Sequence, residues 1–270
     1  MNKILLSLKT LSYNIRTGQG RSAIAKKNIL GSIFIRGASI AISLVMVPLT
    51  IEYVNPSRYG IWLTLSSIVG WFSFFNIGLT HGLRNKFAEA KAQGDDSKAQ
   101  MYVSTTYATL ALIFGLVWLA FLFVNPLLDW TRILDASADM RSELSMLAVI
   151  VFTYFCLQFI LKIITTLIIA DQQPAKASLI DLMGQVASLV FIVILVKTTE
   201  GSLINLGWAL CLSPILVLIF ANIFYFKGKY VGYVRIFLKE GGYTHLIEDS
   251  GENCQKIADV LNHNLHWLKQ

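Results

Sequence analysis

Three charged side chains, Arg36, Lys162 and Asp181, interrupt long apolar runs of this chain. A charge at the centre of a membrane-crossing helix costs about 2.5–3.5 kcal/mol, so it persists there with a partner, water or a ligand. Each belongs to a polar stripe at helical spacing, which sets its members on one helix face. The first run carries Ser32, Arg36, Ser39, Ser43 and Thr50, and the second carries Ser66, Gly70, Ser73, Thr80 and Arg84. The fourth carries Tyr154, Gln158, Lys162 and Thr165, and the fifth carries Ser178, Asp181, Gln185 and Ser188. Such faces meeting around water would form a cavity, expected to open on the cytoplasmic side. Its fixed cations, Arg36, Lys162 and Arg84 at the inner end of the second run, would suit a phosphate or pyrophosphate. Ser32, Ser39, Ser43, Ser73, Gln158, Asp181 and Gln185 would line it. A blander reading stands beside this one. Small residues let helices approach closely, Asp181 can neutralise Lys162 or Arg36 in an ion pair, and Arg36 and Arg84 can reach the headgroups as ordinary anchors.

The elements that would carry these stripes are helices in lipid. The 270 residues are 55% hydrophobic and 14% charged, with a mean hydropathy of +0.59. Soluble domains carry roughly 25% charged residues, so this chain has too few to cover a water-exposed fold of its size. The basic excess, 23 Lys and Arg against 16 Asp and Glu, is better explained by loops facing anionic lipid than by nucleic acid. Cys156, Cys211 and Cys254 are far apart and form no metal or disulfide pattern. His263 and His266 lack a fourth ligand beside Cys254, and His81 has no evident partner for proton coupling. No phosphate-cradling loop, nucleophile elbow or zinc-protease pattern occurs, so neither an enzyme nor a cofactor or metal is expected.

Apolar runs fall at roughly 29–53, 60–80, 101–125, 144–169, 179–197 and 204–226. Each can cross a hydrocarbon core of ~30 Å, which predicts an all-α integral membrane bundle of six transmembrane helices. Asn55-Pro56, Gly94-Asp95-Asp96, Asn125-Pro126, Gln173-Pro174 and Glu200-Gly201 supply the turns. Pro48 and Pro214 lie inside the first and sixth spans and are candidate hinges. Three regions follow: an amphipathic cytoplasmic segment (1–27), the six-span bundle (28–230) and a polar tail (231–270) with one amphipathic helix. The N-terminal apolar residues are interrupted by Lys9 and Arg16, unlike a cleavable signal peptide. With both termini in the cytoplasm, fifteen Lys and Arg flank the spans inside and four, Arg58, Arg132, Arg141 and Lys197, flank them outside. That asymmetry sets the orientation.

The order VPLTIEYVNPSRYGIW, then FFNIGLTHGLRNKFAEA, then Gly94-Asp95 resembles the N-terminus of bacterial polysaccharide-export flippases of the Wzx type. These belong to the multidrug/oligosaccharidyl-lipid/polysaccharide exporter superfamily. The likeness covers about residues 27–100 and continues as a pattern of spans to about 230. It implies a carrier in the bacterial inner membrane. Such a carrier flips an undecaprenyl-pyrophosphate-linked oligosaccharide, such as an O-antigen unit of lipopolysaccharide, by alternating access between two six-helix lobes. On that analogy Arg36 would meet the pyrophosphate, and Arg84 falls in the family's Gly-Leu-Arg-Asn element. The family has about twelve to fourteen spans; this chain offers six, the first lobe alone. Its partner would be a second lobe on another chain or a second copy, since six spans return the chain to its starting side and permit a parallel homodimer. The competing expectations are a multidrug or small-cation exporter of the same superfamily, a membrane enzyme of glycan assembly, and a truncated, nonfunctional remnant.

Overall fold

A computed structural model describes residues 21–71 and 76–233, with side chains from 28–71 and 80–233. The described residues are helical, without strands. In chain order the helices are α1 (Arg21–Val54), α2 (Pro56–Trp71), α3 (Asn76–Ala92), α4 (Asp96–Val124), the short α5 (Trp130–Ile133), α6 (Arg141–Leu161), α7 (Ile163–Ala170), α8 (Pro174–Thr198) and α9 (Leu203–Lys227). Five helical stretches are long and apolar enough to cross a bilayer: Asn28–Val54, Asp96–Leu127, Ala138–Ala170, Pro174–Thr198 and Leu203–Lys227. This is the architecture of a multi-pass membrane protein. The run expected as a second span, 60–80, takes in parts of α2 and α3, with residues 72–75 outside the described residues. The described part of α2, 16 residues, is shorter than the five spanning stretches, and α3 takes in the charged stretch from Arg84 to Lys91. Ser73, the first 20 residues and the expected tail helix lie outside the described residues.

The breaks follow their local chemistry. Asn55 takes a left-handed φ of 74°, and its Oδ1 accepts a hydrogen bond from the Arg58 amide at 3.0 Å. Pro56, which needs no amide partner, opens α2 in the first turn. Asp95 caps α4 by accepting from the Lys98 amide at 3.0 Å, directly after Gly94 at φ 73°. Gln172 at φ 59° and Pro174 reverse the chain between α7 and α8.

The core is the column formed by α6 and α7. Leu144, Leu147, Phe155 and Phe159 of α6 and all residues from Ile163 to Ile168 are buried. Aromatic rings join this column to α4: Phe114 stacks on Phe159 at 4.5 Å and Phe121 on Phe152 at 3.9 Å. Gly184 admits α9 to α8 so closely that an added Cβ would lie 3.3 Å from Pro214. Pro214 thus sits at a helix contact, and both α1 and α9 continue as helix through their prolines.

Helices α1 and α8 run parallel. Asn28 donates to the Gln172 carbonyl, Gly31 faces Ala175, and Tyr53 pairs with Thr199, so equivalent positions are 144–146 residues apart. Much of α1 is open: no residue in its most apolar stretch is buried, and Phe34 is 80% exposed.

Both ends of the bundle are fastened. At one, the Tyr53 hydroxyl donates to the Glu200 carbonyl, Arg58 donates to the Gly201 carbonyl, and Glu143 accepts from the Leu203 amide. At the other, the chain after α9 folds back. Buried Tyr230 donates to Asp171, Lys229 pairs with the same carboxylate at 2.8 Å, and Ser104 donates to the Tyr233 carbonyl. Burial raises the Tyr230 pKa above its ordinary value, so the hydroxyl keeps its proton and acts as the donor.

Candidate functional site

Lys162 stands where α6 gives way to α7, inside a stretch apolar enough to span the membrane. The Thr165 amide bonds to the Lys162 carbonyl, one residue short of the α-helical partner, at 3.0 Å. That shift frees the Leu161 carbonyl, which accepts from the Asn222 side chain of α9 at 3.0 Å. The Asn222 Oδ1 accepts in turn from the Tyr107 hydroxyl of α4 at 2.8 Å. A helix break in apolar surroundings is tolerated where other groups take up its backbone. Here Asn222 does so.

At this break the Lys162 Nζ lies 3.8 Å from the Asp181 carboxylate of α8, and the side chains are 40% and 48% exposed. The α1–α8 register sets Arg36 level with Ile180, one residue from Asp181. Arg36 is exposed, with no ion-pair partner among the described residues. Arg36, Lys162 and Asp181 therefore share one depth along the bundle. Ser32 and Ser39 are half-buried on the same helix as Arg36; Gln185 is half-buried on α8, with a buried Oε1 that has no hydrogen-bond partner among the described residues. Arg84, exposed on α3, lies on a different element.

A cavity of about 540 Å³ opens between α1, α2, α6 and α9. Of the sequence-predicted residues, Ser43 and Gln158 line it; Ser32, Arg36, Ser39, Arg84, Lys162, Asp181 and Gln185 do not. The stripes also contribute Thr50, Ser66, Gly70 and Tyr154 to its wall. None of the lining residues is charged. Ser43 and Thr50 donate to the carbonyls of Ser39 and Met46, which leaves their oxygens as acceptors. Gln158 Nε2 donates to the Tyr154 hydroxyl at 2.6 Å, leaving the phenol proton and the Gln158 carbonyl oxygen to face other groups. The cavity lies between the depth of the charged residues and the end of the bundle at Asn55. Gln158 is four residues from Lys162, about 6 Å along the helix axis, and Ser43 is seven from Arg36, about 10 Å.

Tyr59, Trp62 and Cys211, with the apolar side chains of Met46, Val47, Val69, Val151, Phe155, Phe159 and Leu210, complete the wall. Neither Tyr59 nor Trp62 is among the sequence-predicted residues. Yet Tyr59, Trp62, Ser66 and Gly70 follow one another at intervals of three, four and four, the spacing of one helix face, and that signal was available. Asn222 gave no such signal, because it is one amide in an otherwise apolar run. The chain matches no family model, no curated protein and no solved structure.

Proposed function

We propose that this chain is the first, six-span lobe of a bacterial inner-membrane carrier, with both termini in the cytoplasm, that flips an undecaprenyl-pyrophosphate-linked oligosaccharide by alternating access. The observation that carries the reading is the common depth of Arg36, Lys162 and Asp181 on open faces beside an uncharged cavity. Two cations against one acid leave a net positive charge at that depth. A pyrophosphate compensates it, and charge-assisted hydrogen bonds from a guanidinium and an ammonium suit its oxygens. Asp181 limits the attraction, so the anion can be released. The open α1, with its solitary Arg36, supports a partner lobe or a second copy facing the same ligand. The resemblance over residues 27–100 points to the same class of substrate.

The test is rescue of surface polysaccharide in a flippase-deficient strain. Expression of the intact chain restores polymer, and Arg36→Ala or Lys162→Met abolishes restoration at an unchanged membrane level. Failure to restore by stably inserted wild-type chain, or full restoration by both variants, overturns the reading.

A further inference from the structure

The structure assigns the uncharged cavity to a hydrocarbon chain of the bilayer, and Arg36 beside it to the phosphate of the same lipid, an anionic glycerophospholipid seated along α1. The inference goes beyond the carrier reading and does not need it. The cavity's walls on α1, α6 and α9 belong to stretches that cross the bilayer, so it lies at hydrocarbon depth. Its polar side chains turn their protons to protein groups. Ser43 donates to the Ser39 carbonyl at 3.0 Å, Thr50 to the Met46 carbonyl at 2.7 Å, and the Gln158 amide to the Tyr154 phenol at 2.6 Å. The Ser66 Oγ is buried beneath the surface. What remains of the wall is mainly apolar, from Met46 and Val47 of α1 to Phe155 and Phe159 of α6. Water finds few partners in such a space, whereas hydrocarbon fills it readily.

The cavity is open at its side. Val47 is 41% exposed, Ser43 and Gly70 are exposed, and a Cβ added to Gly70 meets nothing within 4 Å. A chain can enter there from the lipid that α1 faces. Charge decides which lipid. Arg36, Ser43, Val47 and Thr50 follow one another at intervals of seven, four and three, the spacing of one helix face. That face runs about 10 Å from the guanidinium to the start of the cavity. Helical side chains lean toward the N-terminus, which tilts Arg36 toward the headgroups at the Asn28 end. An amphiphile with an anion at one end and a hydrocarbon chain at the other matches this order. A zwitterionic lipid matches it less well, because its own ammonium already neutralises the phosphate. Neither a hydrophobic cation nor a free phosphate uses both halves. On the carrier reading this phospholipid is the resting occupant of Arg36, which the pyrophosphate displaces.

The experiment is native mass spectrometry of the full chain, taken from nanodiscs of phosphatidylglycerol and phosphatidylcholine in equal parts with a trace of undecaprenyl phosphate. The chain retains phosphatidylglycerol as a one-to-one adduct, about tenfold more than phosphatidylcholine, the effect of one hydrogen bond to a charged group. Arg36→Gln removes that preference, and Gly70→Leu, which places a side chain in the open space, removes the adduct. Gly37→Leu, at an exposed position of the same helix outside the wall, retains it. Location is read separately. Phosphatidylglycerol with brominated chains quenches the Trp62 fluorescence, taken as the difference between the chain and Trp62→Phe, and Gly70→Leu relieves the quenching. All variants are checked for unchanged helicity and elution. Equal retention of the two phospholipids, an unchanged adduct in Gly70→Leu, or undecaprenyl phosphate held in place of phosphatidylglycerol overturns the inference. A phosphatidylglycerol adduct on a chain that restores no polysaccharide upholds the site and sinks the carrier. No adduct on a chain that restores polysaccharide does the reverse.

Discussion

Replacing Asn222 by Leu keeps the branching of the side chain and the apolar character of α9 but removes two hydrogen bonds that cross the bundle. One holds the Leu161 carbonyl at the α6–α7 break, at 3.0 Å, and the other receives the Tyr107 hydroxyl, at 2.8 Å. Side-chain hydrogen bonds between membrane helices contribute about 0.6–1.7 kcal/mol each, so Asn222→Leu destabilises the protein by about 1–3 kcal/mol. Tyr107→Phe removes only the second bond and costs about 0.6–1.7 kcal/mol. Because the two residues share that bond, the double variant is less destabilised than the two single costs together. Unfolding of the purified protein in mixed micelles, titrated with a denaturing detergent, measures all four corners of the cycle. Costs that add within ~0.3–0.5 kcal/mol would mean the pair is uncoupled, and an Asn222→Leu cost no larger than that of Tyr107→Phe would overturn the account of how the break at Lys162 is held.

Two further outcomes concern backbone and charge at the ends. A Cβ on Gly201 would lie 2.1 Å from the Tyr53 carbonyl oxygen, whereas one on Gly37 meets nothing within 4 Å. Gly201→Ala therefore destabilises by about 1–3 kcal/mol through forced displacement of backbone, and Gly37→Ala stabilises by up to about 1 kcal/mol through helix propensity; thermal unfolding in one detergent compares them. Asp95 is held below the usual carboxylate range, first by the hydrogen bond from the Lys98 amide and then by the Lys98 side chain. A lowered folded-state pKa means that the cap's contribution is present above the unfolded value and is lost as pH falls through the folded one. Proteolysis at the Gln93–Asp95 turn accordingly rises on acidification below ~pH 4, and Asp95→Asn removes that pH dependence.

Much of the architecture was legible because apolar run length and turn chemistry are local. Asn55-Pro56, Gly94-Asp95 and Gln173-Pro174 mark real helix ends, each for a backbone reason that neighbours do not alter. For the second run, the stripe from Ser66 to Arg84 falls on α2 and α3, with residues 72–75 between them outside the described residues. The pairing of Lys162 with Asp181 was readable as one of two expectations, because opposite charges in apolar runs have few other partners. Which helix faces the stripes shared was not readable. Gln158 and Ser43 meet in one cavity while Gln185 does not, and that depends on helix rotations set by contacts such as Gly184 against Pro214. The break at Lys162 escaped notice for a similar reason. The local signal is weak, a β-branched run from Ile163 to Thr166, and the group that permits the break, Asn222, lies 60 residues farther along.

The parallel pairing of α1 with α8 carries a consequence for biogenesis. The partner of Asn28 is made 144 residues later, which at roughly 5–20 residues per second is about 7–30 s of translation. During that interval the first helix waits in the bilayer with its guanidinium exposed and its eventual neighbour still in the ribosome. An insertase or membrane chaperone that shelters Arg36 over those seconds would govern the yield of correctly assembled bundle, and slowing translation upstream of Pro174 would prolong the dependence.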